Sequence, residues 1–253
     1  MSITEGRRSR LRRIAMNSLW SKPTTLRHQA TAVTIVKGSG SGLDVSETSE
    51  HAEIERQILG GAMALGDTYR RSVEFWKDTV SNVSDDWSRP TPCSEWDVRL
   101  LVNHVVSEDR WTKPLVEGKT IAEVGDAFDG DLLGADPKAS ALAAADEALA
   151  AVAERLPAGG KVHLSYGEED IGEYISQLTA DHLIHAWDLS VATGQQRTLD
   201  PELVAAVTKW FRNSEEIMRS SGSITARPES ATSGDPQADL LIGFGRNPDW
   251  APR

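Results

Sequence analysis

The sequence predicts an all-α protein: a four-helix bundle with a disordered basic N-terminal extension and a loop-rich C-terminal tail. Two observations carry that expectation. From about residue 49 onward, apolar residues recur every three or four positions in successive long stretches, while only one short stretch alternates as a strand would. Few loops separate these stretches, which makes antiparallel neighbours the natural packing. The bundle domain is expected over 49–253, with 1–48 as extension or linker.

The opening residues differ from the rest. "MSITEGRRSRLRRIAMNSLWSKP" is basic without sustained periodicity, and "VKGSGSGLDVSETSE" has the composition of a flexible linker. "ATAVTIV" is too polar for a signal-peptide core, and no Ala-x-Ala site follows it.

The first helix is "SEHAEIERQILGGAMALGDTYRRSVEFWKDTVSNV". Its stripe runs through Ile54, Ile58, Met63, Leu65, Tyr69, Val73 and Trp76, weakened by Gly60 and Gly61. The second opens within "WSRPTPCSEWDVRLLVNHVVSEDRW". Ser94 is the expected N-cap, with Asp97 three residues on in the capping-box position. Trp96, Leu100, Leu101, Val105 and Trp111 form its apolar stripe, and His104 falls inside it. The acidic loop "EVGDAFDGDLLGADP" fails as a calcium loop. Counted from Asp129, Leu133 takes the fifth ligand position and Ser140 the twelfth, where Glu is needed. The third helix, "PKASALAAADEALAAVAERL", ends at Pro157 and Gly159. "KVHLSYG", with His163, is one short extended segment. The fourth helix, "EEDIGEYISQLTADHLIHAWDLSVAT", closes at Gly194; the fifth, "DPELVAAVTKWFRNSEEIMRS", starts with Asp200 as N-cap and Pro201 in its first turn. In the tail, "GFGRNP" is a lone Gly-x-Gly of no diagnostic weight.

Charge and cysteine content narrow the function. The net charge of −11 is uneven: residues 1–37 carry eight Lys or Arg against Glu5, leaving 19 basic and 37 acidic residues, or −18, for the remainder. Such an acidic globule repels phosphates, so no nucleic-acid partner is expected. No run of eighteen apolar residues exists, so no membrane span is expected. Cys93 is the sole cysteine, which excludes an internal disulfide framework and a Cys-rich zinc site and fits a reducing cytoplasm.

The fourth helix breaks its own pattern. At 100° per residue, Tyr174, Leu178, Asp181, His185, Asp188 and Ala192 cluster in one arc, which puts chargeable groups where a helix docks. Asp181 and His185 are one turn apart and can converge on one ion. Asp188 lies roughly 10.5 Å along the axis from Asp181, too far to share it comfortably, and suits an acceptor for a ligand imidazole or a structural acid. His104 is the candidate third ligand. Two imidazoles and a carboxylate with open positions suit a catalytic divalent ion, zinc fitting best, at which a water or thiol loses its proton near neutral pH. The same spacing fits a buried ion pair of Asp181 with His182 or His185. Cys93, between a proline and a helix start, reads as packing, and the eight Trp residues as core and bundle-end packing.

"WSRPTPCSEWDVRLLVNHVV", "IAEVGDAFDGDLLGADP" and "GEEDIGEYISQLTADHLIHAWDLSVATG" together resemble the metal-binding domain of mycothiol-dependent maleylpyruvate isomerases, and more closely the actinobacterial metal-binding branch of the DinB-like superfamily. The resemblance runs from about residue 50 to the end. It implies a DinB-like bundle with a divalent metal near one end, held by a His in the second helix and an acid-x-x-x-His pair in a later one. By position these are His104, Asp181 and His185. The isomerases carry Glu where this chain has Asp181, and a second, C-terminal domain that this sequence does not display; His182 is an extra candidate ligand. The expected function is a metalloenzyme that activates mycothiol for transfer to, or isomerisation of, a small electrophile. A metal-dependent hydrolase and a non-catalytic metal-binding module are the alternatives.

Overall fold

In the computed structural model, residues 45–220, 224 and 233–252 are described. Seven helices and one hairpin follow in order: α1 Val45–Ser81, α2 Val98–Val116, α3 Ile121–Val124, α4 Pro137–Arg155, a 3-10 turn Leu156–Ala158, β1 Lys161–Leu164, β2 Gly167–Asp170, α5 Ile171–Thr193, α6 Pro201–Ser220 and α7 Pro236–Gly243. The bundle is α1, α2, α4 and α5, with α1 packed on α5 and α2 on α4. The extension expected over 1–48 lies outside the described residues except for its last four, which already belong to α1.

Tyr69, Val73, Trp76 and Val80 recur at helical spacing on α1 and are buried. Earlier on the helix Met63 is exposed, Leu65 is half-buried against the core, and a Cβ on Gly60 or Gly61 would meet nothing within 4 Å. On α2 every residue from Leu101 to Asp109 is buried; on α4 the small residues Ala141, Ala144, Ala145 and Ala148 let α2 approach closely.

Several boundaries differ from expectation, each for a local reason. Ser94 is not the cap of α2: Asp97 is, its carboxylate accepting from the Leu100 N–H at 2.8 Å. Residues 93–96 form a turn, with the Trp96 N–H donating to the Cys93 carbonyl, and Pro90 bridges to Asp97, so the helix cannot begin earlier. Asp97→Ala is therefore expected to cost about 1 kcal/mol, seen as a fall of about 2–4 °C in the thermal midpoint, while Ser94→Ala leaves it unchanged. The "EED" stretch read as the start of the fourth helix instead belongs to β2, paired antiparallel with β1 in register Lys161↔Asp170. Helix α5 starts after it, with Asp170 as its cap. The single turn α3, opened by a Thr120/Glu123 capping box, leads into the acidic loop, and the tail holds α7, capped by Asp235.

The last three elements make α5 the centre of the molecule. One apolar cluster joins it to α1, α2 and α4; a second, through Leu183, Ile184, Trp187 and Val191, joins it to Leu203, Val207 and Phe211 of α6 and Leu240, Leu241 and Phe244 of the tail. Every residue from Gln177 to Ala192 is buried, so α5 has no solvent face, and its polar groups must find partners inside the protein. Its C-terminus is closed by Gly194 in the left-handed region, φ 76°, as the sequence predicts.

Candidate metal centre

Helix α2 supplies His104 and α5 supplies Asp181 and His185, at exposures of 4%, 0% and 5%. Their ligand atoms all lie within 4.8 Å of one another. The Nε2 atoms of His104 and His185 stand 3.5 and 3.4 Å from the same atom, Asp181 Oδ1. These are long for hydrogen bonds. They match the edge of a tetrahedron whose centre-to-ligand bonds are 2.0–2.1 Å, an edge of about 3.3 Å. Among the described residues no group donates to Asp181 Oδ2, a buried oxygen that a cation would satisfy. The two imidazole planes are near perpendicular, and the Trp96 ring lies against both, with centroids 4.8 Å from His104 and 5.6 Å from His185.

Asp188 does not reach this cluster, as its distance along the helix requires. It accepts from His185 instead, Nδ1 to Oδ2 at 3.0 Å. A carboxylate only accepts, so Nδ1 carries the proton, and a neutral His185 presents its Nε2 lone pair toward Asp181. Behind Asp188 stands Arg246, from the segment after α7. Its Nη2 donates to Asp188 Oδ2 at 2.8 Å and its Nε to Oδ1 at 3.1 Å. Cys93 completes this group, its Sγ 3.4 Å from Asp188 Oδ2 and 3.2 Å from Arg246 Nη2. Cys93, His185 and Asp188 also offer atoms close enough for an ion, but the Arg246 guanidinium already occupies Asp188 and repels a cation there.

His182 points away from the cluster. Its Nδ1 lies 2.8 Å from the Leu178 carbonyl and its Nε2 3.0 Å from Asp109 Oδ1, so neither nitrogen is available to the ion that the other three residues could hold.

Burial opposes charge on each of these groups, and the neighbours decide the outcome. At His104 burial prevails over the attraction of Asp181 and lowers the imidazole, which favours the neutral form that a ligand needs. At His185 burial is outweighed by Asp181, Asp188 and Cys93, and the imidazole is raised well above its usual range. At Asp181 burial is outweighed by His185 and His104, which hold the carboxyl far below its usual range. At Asp188 burial is outweighed by Arg246 and His185, which bring the carboxyl down to about 2.

Asp109, Arg246 and the position of Cys93 beside Asp188 are absent from the sequence reading. Asp109 was legible as an acid on the buried stripe of α2; Arg246 and Cys93 reach Asp188 across 58 and 95 residues of sequence, a closure no local pattern signals.

The helical bundle thus brings two imidazoles and a carboxylate together in its buried interior. The chain belongs to the family of the mycothiol maleylpyruvate isomerase N-terminal domain, whose model matches residues 69–190. The span holds the whole of α2, the candidate ligands and Asp188, and ends before Arg246. Uncharacterized proteins of two Mycobacterium tuberculosis strains are each 34% identical over 145 residues, covering 53% of this chain and 70% of theirs. No solved structure matches. Among the described residues no helix is long and apolar enough to cross a membrane.

Proposed function

We propose that the protein holds one divalent ion, zinc by its donor set, between His104, Asp181 and His185, and uses it to bind mycothiol as a thiolate for transfer to, or isomerisation of, a small electrophile in the cytoplasm. The observation that supports the metal is the pair of 3.4–3.5 Å separations around Asp181 Oδ1. The support for the thiol is the family, together with charge. When bound, the ion would supply Lewis acidity that lowers the pKa of a coordinated thiol or water. One carboxylate and two neutral imidazoles leave a divalent centre with a surplus of one positive charge. Arg246 already neutralises Asp188, so that surplus is left for an anionic ligand such as a thiolate.

The chain's own residues have separate tasks. Asp181 and the two imidazoles leave coordination positions open. Asp188 keeps the proton of His185 on Nδ1, and Arg246 keeps Asp188 ionised and in place. Trp96 covers the imidazole faces and restricts water at the ligands.

Cobalt substitution tests both parts. The protein is expected to take up one cobalt ion per chain, and added mycothiol to produce an intense sulfur-to-cobalt charge-transfer band. Cobalt uptake without that band at saturating thiol would move the hydrolase or non-catalytic reading ahead. Ester and amide hydrolysis assays on the zinc-loaded protein then separate those two.

A further inference from the structure

We infer that Asp109 and His182 form a positioning brace for the metal centre: their contact fixes the roll of α5 about its own axis and so aims Asp181 and His185 at His104. The inference rests on the metal reading above.

The buried polar side chains through which helices α2 and α5 meet include two pairs at the site, His104 with Asp181 and Asp109 with His182. On α5 the connecting residues are consecutive, so their side chains point about 100° apart. On α2 they are five positions apart, about 7.5 Å along the axis. One connection sets a distance but lets a helix turn about its axis. Two connections at different heights and azimuths remove that freedom. The second connection is stiff. The His182 ring is held at one end by the Leu178 carbonyl, one turn earlier, and at the other by Asp109 Oδ1. Tyr69 and Trp76 of α1 stand edge-on to it, with centroids 5.7 and 6.5 Å away. All five residues are at most 1% exposed.

Packing alone does not account for the pair. Replacing a buried ion pair by apolar residues of similar volume is often neutral or stabilising. Asp109 also has an oxygen, Oδ2, to which no group among the described residues donates, a cost that an apolar residue would avoid. What a polar pair offers and an apolar one does not is direction: a hydrogen bond works over a narrow range of angle, and dispersion contacts do not.

The test separates geometry from stability. In the full chain, the double variant Asp109→Leu/His182→Leu removes the brace and keeps the volume filled. Zinc affinity is measured by competition with a chelator, cobalt absorption reports ligand geometry, and thermal melting reports the fold. The expected result is a thermal midpoint at or above the parent's, zinc affinity weakened about tenfold, and a changed cobalt ligand-field spectrum, with one ion per chain still bound at saturation. A folded double variant with parental affinity and spectrum would overturn the brace. If the double variant does not fold, His182→Gln serves. Its single amide cannot span from the Leu178 carbonyl to Asp109, and parental affinity and spectrum in that variant overturn the inference equally. A parent protein that binds no ion fails the metal reading itself, and the brace with it, before any variant is made.

Discussion

His185→Ala is expected to weaken zinc binding at least about a hundredfold, while His182→Gln, three residues away, still binds one ion per chain at saturation. Removing a group that only orients a ligand typically costs 10–100-fold in affinity, so removing a ligand should meet or exceed that range. The two histidines are equally buried in practice and differ in where their nitrogens go. His185 turns Nε2 to Asp181 Oδ1, at 3.4 Å, and Nδ1 to Asp188. His182 spends Nδ1 on the Leu178 carbonyl and Nε2 on Asp109. His104→Ala should behave as His185→Ala does, because the two Nε2 atoms are placed alike about the same carboxylate oxygen. Metal content after dialysis against a graded chelator measures all three. A His182 variant that emptied the site while the His185 variant retained its ion would require a centre rebuilt on the other flank of α5.

The trio His104, Asp181 and His185 was legible because helical geometry is local. Four residues make one turn, and a histidine inside an apolar stripe points inward whatever the rest of the chain does. The same geometry told Asp188 apart from Asp181. What the local pattern does not show is the enclosure of α5: beyond the arc of Asp181, His185 and Asp188, the helix is covered by the bundle on one side and by α6 and the tail on the other. Each polar group therefore has its own buried partner in its own direction. Asp109 is the clearest miss. It lies on the stripe of Val98, Leu101, Val102, Val105, Thr112 and Val116, all buried, but "SEDR" reads as surface when taken by composition. Capping errors had a different origin: "TPCSEW" supplies several cap-like residues, and a turn held by backbone hydrogen bonds decides among them.

Arg246→Ala is expected to destabilise the fold by about 3 kcal/mol, lowering the thermal midpoint by roughly 6–12 °C for a chain of this size. Asp188 has no solvent exposure, and the guanidinium is the only full positive charge that any described contact brings to it apart from a protonated His185. Breaking a buried ion pair from one side leaves the other charge unpaired, at a typical cost of about 3–5 kcal/mol. The lower end applies because the Arg246 side chain is itself 17% exposed, so water can follow where it leaves. The segment after α7 loses its attachment as well, since Arg246 also donates to the Phe244 carbonyl and to Cys93 Sγ. Asp188→Leu/Arg246→Met removes both charges and fills the space, so it should recover most of the stability. It should not recover zinc affinity, which stays about 10–100-fold below the parent's because His185 has lost the acceptor that fixes its tautomer. An Arg246→Ala protein within about 0.5 kcal/mol of the parent, the range of an ordinary surface substitution, would show that solvent rather than the guanidinium balances Asp188.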